Sequence, residues 1–329
     1  MPFCFVHHLA MPSESRFDFD AAVSSPFRMQ PGLRKLQPGS AQLTPLQPGS
    51  PHQREKLAVL SAYWTQALLV RDGFDASPAL DALYCHAAAE HPLAWQWDGQ
   101  RAHALRLGTA VDRDGAVAQT ATGVFGLGDE VARCLAGLPP GWRQVGLLSL
   151  AFAEDFALVD GRDGTIPWLA VTLPSHWAPE TKVGQHFASV HAPVADNSLL
   201  VNAAVSLTRL VCGPERWERF VWNVTDQPRL HAHPARTGPE RWQHTAVAQA
   251  WWRTERQTFV PLPAQMLAVF TIQVQVQRLA DALDTPQRAQ ALHAAIASMS
   301  PAMLAYRGLQ RVQAPLLAWL AERAGADAR

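Results

Sequence analysis

Two long runs in the last third of the chain, AWWRTERQTFV (250–260) and MLAVFTIQVQV (266–276), have the residue types and two-residue period of β-strands. Only five residues separate them. A connection that short joins antiparallel neighbours, because parallel strands need a crossover of a dozen residues or more. With RFVWNVT (219–225) before them, they commit this part of the chain to an antiparallel sheet. The alternation also sorts side chains. Trp251, Arg253, Glu255, Gln257 and Phe259 share one strand face; Trp252, Thr254, Arg256 and Thr258 share the other.

Three earlier runs read as strands too: VGLLSLAF (145–152), DFALVDG (155–161) and IPWLAVTL (166–173), with D-G pairs at 160–161 and 163–164 marking a turn. The rest has helical period. Residues 53–71 carry Leu57, Leu60, Trp64 and Leu68 on one stripe. Residues 77–91 open with Ser77 as cap and Pro78 in the first turn, and 127–138 end at Gly137 and the PPG of 139–141. Residues 196–213 form a longer helix from Asp196 or Asn197 to Gly213, and helices near 286–298 and 301–323 close the chain. The first 52 residues are rich in Pro, Gly and Ser; LQPGS occurs at 36–40 and again at 46–50, a pair of turns in an irregular arm over the surface. The fold expected is α+β, helices covering one face of a curved antiparallel sheet. No linker divides residues 53–329, which are expected to form one domain: a helical part (53–143), a sheet core (144–276) and C-terminal helices (277–329).

Several function classes are excluded. Lys plus Arg equals Asp plus Glu at 28 each, so the chain lacks the basic excess that a nucleic-acid binder needs. Cys4, Cys85, Cys134 and Cys212 are scattered and no CxxC occurs, so neither a zinc ribbon nor a cysteine-held iron–sulfur cluster is encoded, and reduced thiols are expected. No apolar run approaches membrane-spanning length, and the first residues lack the basic start of a signal peptide; a cytoplasmic protein is expected. No GxSxG supports a nucleophilic triad. Twelve tryptophans suit a large core or an aromatic-lined pocket equally.

The histidines carry the remaining chemistry. KVGQHFASVH (182–191) reads as a short helix stopped by Pro193. At about 100° per residue, His186 falls beside polar Lys182, whereas His191 falls between Phe187 and the flat side made by Gly184 and Ala188. An imidazole on a flat apolar patch suits a proximal heme ligand, and a hydrogen-bonded core histidine satisfies the same pattern. HAHP (231–234) competes with it. His231 and His233 at i, i+2 can bind a non-heme metal, given a third ligand such as His244 or Glu240. Solvated histidines beside a proline are the simpler account. On strand 250–260, Arg253, Glu255 and Arg256 are the polar candidates, either for a ligand pocket or for a solvated ion pair.

LPSHWAPETKVG followed by a helix ending in VHAP resembles the alpha-subunit family of heme-dependent oxidative N-demethylases of the dimethylamine monooxygenase type. PFRMQPGLRKL (26–36), AEDFALVDG (153–161), RFVWNV, WRTERQTFVPLP (252–263), VFTI (269–272) and MLAYRGL (303–309) follow the family in order, so the resemblance spans roughly 26–310. Departures from it are Gln273, where an arginine is expected, and the duplicated turns at 36–50. The resemblance implies a PAS-like fold holding heme b between sheet and short helix, with His191 on the iron. It also implies Lys182, Gly184, Phe187, Ala188, Trp177 and Trp222 around the cofactor, and Arg253, Glu255 and Arg256 as catalytic groups. The implied reaction is O2-dependent demethylation of a small secondary amine. The electrons would come from NADPH through partner subunits carrying FMN and a [2Fe–2S] cluster. A non-catalytic heme or gas sensor of the same fold is the alternative.

Overall fold

A computed structural model describes residues 17–120, 128–238, 241–243 and 245–325. Along the chain run α1 (Phe19–Ala22), β1 (Arg34–Lys35), α2 (Pro51–Ala67), β2 (Leu68–Val70), α3 (Ser77–Glu90), β3 (Trp95–Trp97), β4 (Arg101–Ala104), β5 (Thr109–Asp112) and β6 (Val117–Gln119). Then come α4 (Glu130–Ala136), α5 (Pro140–Ala151), β7 (Asp155–Asp160), β8 (Trp168–Ala170), α6 (Phe187–His191), α7 (Ser198–Asn202) and α8 (Ala204–Val211). The last part holds β9 (Trp217–Thr225), β10 (Trp251–Leu262), β11 (Leu267–Arg278), α9 (Leu279–Ala282), α10 (Pro286–Ala297), α11 (Pro301–Tyr306) and α12 (Gln313–Arg323). The architecture is α+β, with two antiparallel sheets among the described residues.

The large sheet has the order β1-β9-β10-β11-β7-β8-β2. Its backbone is the expected hairpin: β10 and β11 pair from Trp251↔Arg278 to Leu262↔Leu267, and Met266 turns the corner at φ 51. β9 lies on the far side of β10 and β7 on the far side of β11. Cross-strand partners share a face. One face therefore carries Arg219, Val221 and Asn223 with Arg253, Glu255 and Gln257 and with Phe270, Ile272 and Val274. The other carries Phe220, Trp222 and Val224 with Trp252, Thr254, Arg256 and Thr258 and with Val269, Thr271 and Gln273.

The second face is closed. Phe156, Leu158, Val260 and Val269 pack on α2 to α5 in the largest apolar cluster, and Trp222, Val224 and Trp252 pack on the C-terminal helices in the next. Between them the segment 41–46 lies over a polar strip. Gln42 Nε2 donates to Thr258 Oγ1 at 3.0 Å, Gln273 Nε2 to Thr44 Oγ1 at 3.0 Å, and Arg256 Nη1 to the Ala41 carbonyl at 2.9 Å. Gln42 and Leu43 are buried, so this part of the arm is a core strap and not a surface loop. The LQPGS copies are its two hinges, each closed by a serine N–H bonding the glutamine carbonyl three residues back (Ser40 to Gln37, Ser50 to Gln47).

Other expectations need correction. Residues 145–151 belong to helix α5, with Phe152 as its extended cap; Val145, Leu147, Leu148 and Leu150 are buried all round it, which erases the helical period and leaves a strand-like apolar run. Its start is Pro140, so the PPG opens a helix as well as ending one. The expected helix over 196–213 breaks at Ala203 into α7 and α8, and that over 301–323 breaks into α11 and α12. Leu68 leaves its helical stripe to start β2. The four-stranded sheet β3–β6, built of strands no longer than four residues, was not foreseen. Cys85, Cys134 and Cys212 are free thiols; Cys4 lies outside the described residues.

Candidate functional site

The first sheet face meets α6, α7 and α8, and the segment before α6 is not helical. Residues 182–186 are pinned to the β7–β8 connection. Gly184 N–H donates to Ile166 O at 2.7 Å, Ile166 N–H to Gln185 O at 3.0 Å, and Phe187 N–H to Gly164 O at 2.8 Å. Gly184 turns the chain at φ +74, a conformation that L side chains rarely adopt. It therefore lies outside the His191 helix, and the expected flat side of Gly184 and Ala188 does not exist. The reason is competition: three backbone bonds to the neighbouring loop replace a first helical turn. His186 then caps α6, its Nδ1 accepting from Ala188 N–H at 3.1 Å.

His191 ends this five-residue helix. Its Nδ1 lies 2.9 Å from the Phe187 carbonyl, so Nδ1–H donates and Nε2 keeps a lone pair. No described residue bonds Nε2. Burial pushes the imidazole down to about 4, and the charges of Arg219 and Lys182 add to that. The ring is therefore neutral at physiological pH and can ligate a metal. Phe187 packs on it at 4.1 Å between centroids, and Lys182 Nζ donates to the Val190 carbonyl at 3.4 Å across the helix end.

Across from His191 the sheet is incompletely covered. Arg219, Val221, Gln257 and Phe270 are half-buried although they lie within long strands, whereas Arg256, Thr258, Val269 and Thr271 behind them are buried. The helices leave this strip of the sheet partly open to solvent, which makes it the candidate cleft. Arg219, Glu255 and Gln257 stand on its floor. Glu255 is 8% exposed and its Oε2 accepts from Gln257 Nε2 at 2.6 Å. The Arg219 guanidinium has no hydrogen-bond partner among the described residues; burial lowers its pKa and Glu255 works against that shift. Trp177 packs in the wall with Phe270, Val183 and Val190. Tyr306 of α11, 51% exposed, lies at the rim, where burial raises its phenol and the Glu255 carboxylate adds to the effect.

The expected site residues are thus split. His191, Phe187, Trp177 and Glu255 border the cleft, and Ala188 sits on α6. Arg253 shares the face of Glu255, but its guanidinium is engaged elsewhere. Nε donates to Ser175 Oγ at 2.7 Å, and Nη1 and Nη2 donate to the carbonyls of Arg229, Leu173, Pro174 and Leu230 at 2.7–3.3 Å. It is a bracket between two loops. Arg256 and Trp222 point to the opposite face. Arg256 Nε donates to Glu218 Oε2 at 3.1 Å, and Trp222 Nε1 donates to the Ala22 carbonyl at 2.9 Å. Strand parity separates them from His191. Gln273 is on that far face too, so its departure concerns the strap and not the cleft.

Arg219 was missed. In RFVWNVT it alternates with apolar Phe220, Trp222 and Val224 and reads as solvent-facing; only its pairing with Gln257 brings it beside Glu255. The HAHP histidines do not converge. Their rings lie parallel, 6.0 Å apart; His233 gives Nε2 to Glu180 and accepts at Nδ1 from Ala235 N–H, while His231 Nδ1 bonds the Thr172 carbonyl. His244 and Glu240 lie outside the described residues. Among the described residues no group of three or more His, Cys, Asp and Glu is placed to hold a metal ion.

The family model for "Haem-dependent oxidative N-demethylase, alpha subunit-like" proteins matches residues 143–317. That stretch is more than half of the chain. It takes in β7 to β11, α6 to α8, and with them every residue of the cleft.

Proposed function

Because the chain belongs to the heme-dependent oxidative N-demethylase alpha-subunit-like family, we propose that it is an oxidoreductase subunit that binds heme b through His191 and demethylates a small secondary amine. The observation that carries this is the His191 imidazole: neutral, oriented through Nδ1 by the Phe187 carbonyl, and left with an Nε2 that no described residue bonds. A heme would need one such neutral imidazole from the protein, and His191 would supply it.

Bound heme supplies reductive activation of O2, with one oxygen atom leaving in formaldehyde and the other in water. The protein's share is to hold, orient and keep dry. Glu255 accepts the N–H of the amine in its ammonium form, and Gln257 fixes that carboxylate. Arg219 supplies donors on the same floor. Phe187, Trp177 and Phe270 exclude water, which strengthens each of these interactions. The strand order supports a PAS-like core: two strands, a helical stretch and three strands, with β7 between β8 and β11.

The family's description as an alpha subunit supports reductase partners, here NADPH-linked subunits carrying FMN and a [2Fe–2S] cluster. The chain itself has no CxxC to hold such a cluster. Among the described residues no helix is long and apolar enough to cross a membrane, in keeping with a cytoplasmic enzyme. An absorption spectrum tests the reading. A Soret band is expected in the purified protein and in His231→Ala, and is expected to be lost in a folded His191→Ala variant. No Soret band after expression with ample heme removes the proposal. Formaldehyde release from an N-methylated secondary amine, tried as both dimethylamine and N-methylglycine with a surrogate electron donor, then distinguishes an enzyme from a gas-binding module.

A further inference from the structure

Arg219 and Glu255 are diagonal neighbours on one sheet face, since Arg219 pairs with Gln257 and Glu255 with Val221. Diagonal positions lie about 7–8 Å apart, an easy reach for two side chains of this length. The Glu255 carboxylate is near enough to act on the Arg219 guanidinium. Even so, no ion pair closes between them. Glu255 gives one oxygen to Gln257, and Arg219 keeps its donors without a partner among the described residues. A half-buried guanidinium and a carboxylate that are held apart on the floor of a cleft present a donor fork and an acceptor side by side. Leaving both open is costly unless a ligand closes them.

The charge balance says which ligand. A bare dialkylammonium needs only Glu255, and Arg219 on the same floor repels it. Lys182, whose Nζ reaches the Val190 carbonyl at 3.4 Å across the end of the His191 helix, adds to the positive side. The cleft therefore disfavours a simple cation and suits a molecule bearing both charges. Resting on the function proposed above, we infer that the substrate is an N-methylated amino acid, its ammonium on Glu255 and its carboxylate on the Arg219 fork. Arg219 is then the residue that sets substrate class.

Binding tests this without turnover. N-methylglycine and dimethylamine are titrated by calorimetry into the full-length protein, with and without bound heme, and into Arg219→Gln. N-methylglycine is expected to bind at least tenfold more tightly than dimethylamine. Arg219→Gln is expected to abolish that preference while heme content stays at the wild-type level. Equal or tighter binding of dimethylamine by the wild type overturns the inference. So does an Arg219→Gln protein that keeps the preference but loses heme, because Arg219 would then serve the cofactor's own carboxylates. Arg219→Lys, which keeps the charge and loses the fork, covers a poorly folded Gln variant; it too is expected to lose most of the preference. If no heme is ever taken up, the function proposed above fails, yet the preference remains readable in the heme-free protein.

Discussion

Replacing Arg253 by Met separates a structural bracket from a reacting group. Arg253 is 2% exposed and makes five hydrogen bonds, four of them to backbone carbonyls. Water reaches two of the abandoned acceptors, because Arg229 is exposed and Ser175 half-buried, and the Pro174 carbonyl still accepts from Ala232 N–H at 3.0 Å. The carbonyls of buried Leu173 and Leu230 are left bare, each at about 1–3 kcal/mol. The total is about 4 kcal/mol; at roughly 2 °C per kcal/mol for a chain of this size, Tm falls by about 8 °C. Thermal unfolding followed by circular dichroism measures it, with the Soret absorbance of the folded protein recorded beside it. Arg253→Lys, with a point charge in place of the fork, falls between. The heme spectrum of folded Arg253→Met is expected to be unchanged. A Tm within about 1 °C of the wild type together with a lost or shifted Soret band would refute the bracket and return Arg253 to the cleft.

Three further outcomes follow from the same geometry. Gly184→Ala meets only ordinary van der Waals contact, the nearest atom being Arg71 Cδ at 3.5 Å, so only the left-handed backbone resists; a loss of about 1–2 kcal/mol is expected in urea unfolding, and a neutral result contradicts the turn. His176 is pushed down to about 3 by burial and by Arg241 and Arg253; the unfolded chain binds a proton there near pH 6.5 that the fold does not, so its contribution to stability rises with pH between about 3 and 6.5. His176→Asn, whose side chain tolerates φ 62, should lose that slope in denaturation midpoints measured against pH. Glu154 is the opposite case. Burial raises its carboxyl to about 7 despite bonds from Thr44, so the fold binds the extra proton and stability falls as pH rises from about 4.5 to 7. Glu154→Gln is expected to remove that fall and to be the more stable form above pH 7; a variant as pH-sensitive as the wild type contradicts it.

The long strands were legible because twelve residues of alternation in WWRTERQTFVPL leave no competing period. Their faces could be sorted, but which face meets the cleft could not, since both carry charge and aromatics. That choice is made by α6 to α8 on one side and by the strap and C-terminal helices on the other, all of them distant in sequence. His191 was singled out from local pattern, although the pattern assumed a helix over 182–186 that three bonds to the β7–β8 connection prevent. Arg219 and the bracket role of Arg253 depend on partners 23 to 80 residues away or on strand register, and no local signal carries those.

The position of β7 has a consequence in time. Its hydrogen-bonding edge at Asp155–Asp160 is filled by Leu267–Ile272, over a hundred residues later. Until those residues emerge from the ribosome, the strand that will be central is an open edge, and α6 has no floor to face. Loop closure over that distance is slow, and an open edge invites pairing with other chains. The ligand cleft is thus a late product of synthesis. His191 is made before β11, so under the proposed function heme loading would belong to the end of folding, and a chain stopped before Arg278 would have the histidine without the sheet floor.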